Sequence, residues 1–393
     1  MWFDAGKCAA LRPLLRASIA DRMEPDRVDR RWVWIALAIL ACLVAYRVLQ
    51  RTAPTATKGP TFEEKANALV PTGGAPSTPA KIASTTNTAA PPASAPQTVA
   101  VAMAWGTGKG ELGKIERKEG NAEAPMSLVV GKDGTTWVLD QVNNRIVRFD
   151  KSGAPLEPIP LSLKAPQELA IGKDGTVAVL DRLVDKQVVI LGPDGKPRGT
   201  LTLEGKGIDE GGGVSGLFID GDKVYVEREH ETVLRLGDTS GKPDPKRDEV
   251  PGRPTRDGSA WIRAWMGEIP GQKVFVASRA RDTEENRFTR QINATMSLSA
   301  ILLLDSDLAG VIYLGALGSA VDDKGTTVGE PQIVLYCLEP LHGAVIGSTS
   351  VPASLDPHET FRELAVADEG GVLYLQRDTK GAKLVRLDCR PHG

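Results

Sequence analysis

Residues 125–139 read PMSLVVGKDGTTWVL and residues 166–180 read PQELAIGKDGTVAVL. Pro125 pairs with Pro166, Gly131 with Gly172, Asp133 with Asp174 and Asp140 with Asp181, each pair 41 residues apart. Past a one-residue insertion the match resumes, RIVRFDKSG (145–153) against QVVILGPDG (187–195). Self-similarity at such a period marks a repeat architecture. Within the first unit Leu128–Val130 is apolar, and Lys132-Asp133-Gly134 supplies a hairpin turn whose glycine tolerates positive φ. Thr136–Leu139 reads as a second strand, Asn143-Asn144 bend the chain into a third at Arg145–Phe149, and Leu156–Leu163, marked by prolines, reads as an outer edge strand. Four short strands in about 40 residues make one blade of a β-propeller, which covers its faces only by packing beside others around an axis.

Later units keep the strand spacing and lose the motif. One runs from Gly216–Val226 to Val233–Leu236, and the next contains Ala260–Met266, Lys273–Ala277, Ala300–Leu304 and Val311–Leu314. A fifth holds Gln332–Leu338 and Gly343–Ser348, and the last holds Glu363–Ala367, Val372–Gln376 and Lys383–Asp388. That last unit is one strand short. The missing strand is expected from Val101–Trp105 or Glu111–Glu116, which would close the ring without a free sheet edge. The expectation is an all-β, six-bladed propeller over residues 101–393.

The run Pro125…Asp133-Gly134…Val138-Leu139-Asp140…Asn143-Asn144-Arg145-Ile146-Val147-Arg148-Phe149-Asp150…Gly153 resembles an NHL repeat. The second unit resembles it in part, with Asp185-Lys186-Gln187 in place of Asn-Asn-Arg. The resemblance implies a six-bladed propeller of the kind that serves as a binding platform, sometimes tethered to a membrane. It also implies an alternative, a metal-dependent hydrolase or lyase of the gluconolactonase-like type, whose channel metal needs Asp, Glu, Asn or His from several blades. The Asp, Asn and Arg of the motif read as turn acceptors and a strand-bridging guanidinium.

Ahead of the repeats, Trp32–Tyr46 (WVWIALAILACLVAY) carries no charge, and Val48-Leu49 extend it past Arg47. As a helix, residues 32–49 reach about 27 Å, close to the hydrocarbon thickness. Trp32, Trp34 and Tyr46 sit at its ends, as interfacial aromatics do. Lys7, Arg12, Arg16, Arg22, Arg27, Arg30 and Arg31 precede it, and the stretch after it is poorer in basic residues. The positive-inside bias predicts a single-pass signal anchor with residues 1–31 cytoplasmic and the rest periplasmic or extracellular. Translation from Met23 rather than Met1, and lipidation of Cys42 in Ala38-Ile39-Leu40-Ala41-Cys42, stay open alternatives. Between Pro71 and Ala100, 25 of 30 residues are Pro, Ala, Ser, Thr or Gly. Such a segment cannot bury enough apolar surface to fold, so 50–100 reads as a disordered linker.

Residues 1–100 hold 12 Lys/Arg against 7 Asp/Glu, and the remainder 36 against 43. A mildly acidic C-terminal region is a poor polyanion binder, so no nucleic-acid partner is expected. The 4 histidines show no ligand spacing, and Asp356-Pro357-His358-Glu359 reads as an inter-blade turn, so neither metal nor cofactor is assigned. The glycine-rich Gly211–Gly216 leads into a strand, so Ser215 lacks the strand-to-helix elbow of a nucleophile. Gly106–Gly110 lacks the spacing and the helix of a phosphate loop.

Partner-binding candidates are Arg279, Arg281, Arg287, Arg290 and Phe288, read as a long connection (278–293) raised above one face. Trp261 and Trp265 belong with a blade core, and Pro243–Gly258 reads as a plain connector. Cys337 and Cys389 lie in strands among aliphatic residues. Two buried thiols are the default there, and an extracytoplasmic location opens the alternative of a bridge pinning the closing blade. No residue reads as catalytic. The function expected is a membrane-anchored binding scaffold for a protein or cell-envelope partner.

Overall fold

In the folded chain Asp133 Oδ1 accepts the Thr135 N–H at 3.0 Å, and Asp174 Oδ1 accepts that of Thr176 at 3.0 Å. Gly134 and Gly175 beside them take φ of +78° and +82°, a region glycine enters without strain. Each turn thereby folds one strand back on the last: Ser127–Val130 pairs with Thr136–Asp140, and Glu168–Ile171 with Val177–Asp181. The computed structural model describes residues 87–88, 98–119, 122–322, 326–354 and 359–390. Residues 1–31, the apolar run 32–49 and most of the 50–100 linker lie outside these. Among the described residues no helix is long and apolar enough to cross a membrane.

The strands form blades of four. Blade 1 is Ser127–Val130, Thr136–Asp140, Arg145–Phe149 and Ile159–Pro160. Blade 2 is Glu168–Ile171, Val177–Asp181, Gln187–Leu191 and Pro197–Thr202, and blade 3 is Val214–Asp220, Lys223–Arg228, Thr232–Asp238 and Glu249–Val250. Blades 4 and 5 share one continuous strand of 21 residues, Asn286–Ser306. Its first half pairs with Gly271–Ala280 as the outer strand of blade 4, beside Arg253–Pro254 and Ala260–Met266. Its second half pairs with Ile312–Val321 as the inner strand of blade 5, which Thr327–Leu338 and Val345–Pro352 complete. Blade 6 is Leu364–Val366, Val372–Arg377, Gly381–Leu387 and, from ahead of blade 1, Thr98–Ala104. The first of the two expected donors closes the ring.

Three readings of the sequence are corrected. The segment 278–293 is no long connection: it is a β-hairpin of blade 4 turning at 281–285, and its missed second strand moves Ala300–Leu304 and Val311–Leu314 into blade 5. The outer strand of blade 1 shrinks to Ile159–Pro160, because neighbouring prolines lack the N–H a ladder needs. Pairing also begins earlier than residue 101, at Thr98, and Asn87-Thr88 lie parallel to Ile292-Asn293.

Alternating apolar residues fill the seams between blades. Separate buried clusters occupy the seams 6–1, 1–2, 2–3, 4–5 and 5–6. None of these five spans blades 3 and 4. There Trp261 meets Tyr225 edge-on at 5.9 Å, the Arg281 guanidinium lies 4.3 Å from the Trp261 ring, and Arg281 donates to Asp220 at 2.6 Å. At seam 5–6 Cys337 and Cys389 form a disulfide. The bridge replaces the two free thiols that the sequence favours.

Candidate functional site in the central channel

Charged side chains from blades 2 to 6 meet at the centre of the ring. Glu168 holds the repeat position that Ser127 holds in blade 1, so a carboxylate enters a wall of small and aliphatic residues. It is 1% exposed. Arg362, just ahead of the inner strand of blade 6, crosses to it, donating from Nη2 to Glu168 Oε1 and to the Leu217 carbonyl of blade 3 at 3.1 Å. Among the described residues Glu168 Oε2 has no hydrogen-bond partner. Burial pushes this carboxyl up to about 7 against the pull of Arg362, because one gripped oxygen does not offset full desolvation.

A second pair lies beside it. Arg253 of blade 4 holds Glu227 of blade 3 with two parallel bonds, Nε to Oε1 at 2.8 Å and Nη2 to Oε2 at 2.7 Å. Burial would raise Glu227, but this fork, helped by His230, outweighs it and brings the group down to about 2. The Phe218 ring lies between the two arginines, 5.3 Å from Arg253 and 5.7 Å from Arg362. Further along, Arg256 ties Asp305 of blade 5 at 3.0 Å to Asp368 of blade 6 at 2.9 Å. Arg253 also donates to Leu304 O and Arg256 N to Ser306 Oγ, so blades 4 and 5 join at the axis. The ring is closed around these pairs. The chain is a six-bladed β-propeller.

The propeller matches no family model and no curated protein. Among solved structures it is similar to Kuenenia stuttgartiensis hydrazine synthase, at 12% identity over 63% of this chain and 72% of that one, TM-score 0.41. It is similar to virginiamycin B lyase from Staphylococcus aureus, at 11% identity over 67% and 94%, TM-score 0.38. A third is the Cps50 β-propeller domain of Myceliophteria thermophila, at 10% over 69% and 98%, TM-score 0.37. Identities this low bear on no residue of the channel.

The residues singled out in the sequence lie elsewhere in the propeller. Arg279 donates to Glu284 O at 2.6 Å, Arg281 to Asp220, Arg287 to Ser259 O at 3.0 Å and Arg290 to His342 O at 2.9 Å. Phe288, 7% exposed, packs in the apolar core of seam 4–5. The four guanidiniums therefore brace a hairpin. His230 and His342 are exposed beside Glu227 and Glu339, and His358 and His392 lie outside the described residues. Of Asp356–Glu359 only Glu359 is described. The NHL-like residues are scaffold: Asp140 accepts from Gly113 N, Asn143 and Arg145, and Arg145 reaches Thr107 O and Glu111 O.

Arg253 and Arg256 fall in Pro243–Gly258, whose sequence reads as a connector. Its alternating charge hides an inner-strand arginine, Arg253, and a second, Arg256, in the turn that follows. The legible signals were the exchange of Ser127 for Glu168 within the repeat and the Arg362-Glu363 step at the head of an apolar strand.

Proposed function

We propose that this chain is a membrane-anchored, extracytoplasmic β-propeller that acts as a binding scaffold for a protein or cell-envelope partner. The observation that carries the reading is the channel: its carboxylates converge on arginines rather than on one another, so the axis clamps the ring and leaves the outward turns as the working surface. Among the described residues no three His, Cys, Asp or Glu side chains gather as a metal cage would need. The Cys337–Cys389 bridge supports an oxidising compartment, where structural disulfides persist. It thus favours the orientation expected from the apolar run 32–49.

The candidate contact is the hairpin tip at 282–285, exposed and held from below by Arg279 and Arg281. Protease added to intact and to permeabilised cells tests the topology: cleavage of the propeller in intact or outer-membrane-permeabilised cells is expected. Protection until the inner membrane is broken overturns it. A photo-crosslinking residue at Asp282 or Glu285 tests the surface, with one recurrent adduct expected and none at Lys151 on another blade. Turnover of lactones or esters by the full chain, lost in a channel variant such as Glu168→Gln, would replace the scaffold reading with the hydrolase one.

A further inference from the structure

Arg362 is one of the residues, drawn from all six blades, that line a cavity of about 90 Å³. Val129, Ala170, Ile171, Leu217 and Phe218 form apolar walls. Arg362 forms the floor. Its Nη2 is taken by Glu168 and Leu217 O, while Nε and Nη1 have no partner among the described residues. Neither atom is fully enclosed by protein. At the mouth, where each inner strand turns into the next, stand Lys132 and Lys173, the same position of successive repeats. Both are exposed, and neither forms an ion pair among the described residues.

The carboxylates that line the same space are already held. Asp220 is paired with Arg281, and Asp305 and Asp368 share Arg256. Asp133 and Asp174, in the same turns as the lysines, accept from Thr135 and Thr176. What remains uncommitted in the pocket is cationic: two ammonium groups at the rim and two N–H groups of one guanidinium at the floor. We propose that this pocket binds a small oxyanion, a carboxylate or a tetrahedral anion, seated on Arg362 with Lys132 and Lys173 closing over it.

The floor makes binding depend on pH. The groups facing Glu168 are Arg362, Arg253 and the like-charged Glu227. With Glu168 ionised, its charge is spent on Arg362. Once Glu168 takes a proton, the guanidinium is left uncompensated and attracts an anion more strongly. The site therefore tightens as pH falls through about 7 and weakens as pH rises through it.

Calorimetric titration of the full chain in detergent with sodium acetate and, separately, sodium sulfate tests this, against sodium chloride at equal ionic strength. Neither probe titrates between pH 6 and 8, and the arm that responds names the anion class. Stoichiometry near one and affinity about ten-fold weaker in the Lys132→Ala/Lys173→Ala variant are expected, since both lysines are solvent-facing and leave the fold intact. Affinity is expected to fall from pH 6 to pH 8, and Glu168→Gln to remove that dependence. No saturable binding of either anion into the millimolar range, or binding unchanged in the double lysine variant, overturns the proposal. So does affinity that rises with pH.

Discussion

Two seams of the ring hold by different physics. Between blades 5 and 6 an apolar cluster built on Tyr313, Leu335, Val372 and Tyr374 is stapled by Cys337–Cys389, and the Cys389 carbonyl lies where a Cβ on Gly347 would be, 1.8 Å away. Between blades 3 and 4 the contacts are Trp261 on Tyr225, Arg281 on Trp261 and Asp220, and the Arg253–Glu227 fork. Apolar contact is non-directional and tolerates small adjustments, whereas a buried fork depends on both partners being present and charged. The apolar seam should yield gradually, and the polar seam should fail when one group is lost.

Arg253→Met breaks the comparison hardest. It strands Glu227, 4% exposed, without its counter-charge, and is expected to lower stability by about 3–5 kcal/mol. Denaturant unfolding followed by tryptophan emission measures it. A loss below about 1 kcal/mol would show that the polar seam is dispensable. On the other seam, the Cys337→Ser/Cys389→Ser variant loses a cross-link closing 52 residues, expected to cost about 4 kcal/mol. The melting temperature of this variant should no longer respond to reductant, while that of the unaltered chain should fall on reduction.

Acidity separates two carboxylates that look alike in the sequence. Glu227 lies low when folded, so the stability it brings is present above about 4.5 and lost as pH falls towards about 2. Glu168 lies high, so its contribution is full below about 4.5 and lost as pH rises through about 7. Glu363, also raised by burial, adds in the same direction as Glu168. A decline of up to about 3 kcal/mol is expected from Glu168 between those pH values. Glu168→Gln should flatten most of it, and an equal slope in that variant would assign the decline to Glu363. The smallest effect is expected at Arg281→Ala. This removes one partly exposed ion pair and one cation–π contact, about 1 kcal/mol, and the loss should shrink in high salt.

How far each region could be read in advance follows from its chemistry. Blades 1 and 2 show themselves because hairpin turns of this kind demand Asp and Gly at set places, so the 41-residue match survives. Blades 4 and 5 merge through Asn286–Ser306, which carries no turn signal between its halves, and its arginine-rich start has the composition of a loop. The sequence shows two cysteines among aliphatic residues but not their pairing, since contact across 52 residues of sequence is a property of the closed ring.

From the order of residues alone came the repeat, the number of blades and the need to borrow a strand from the segment ahead of the first repeat. These rest on local rules of turn geometry and alternation, which act over a few neighbours. Closure alone settled that Arg362 would reach past blade 1 to Glu168, that Arg253 would fork onto Glu227, and that an inconspicuous connector would line the axis. Side chains 26 to 194 positions apart become partners only when six sheets share one centre, and desolvation there, not residue type, sets one carboxyl near 7 and the other near 2.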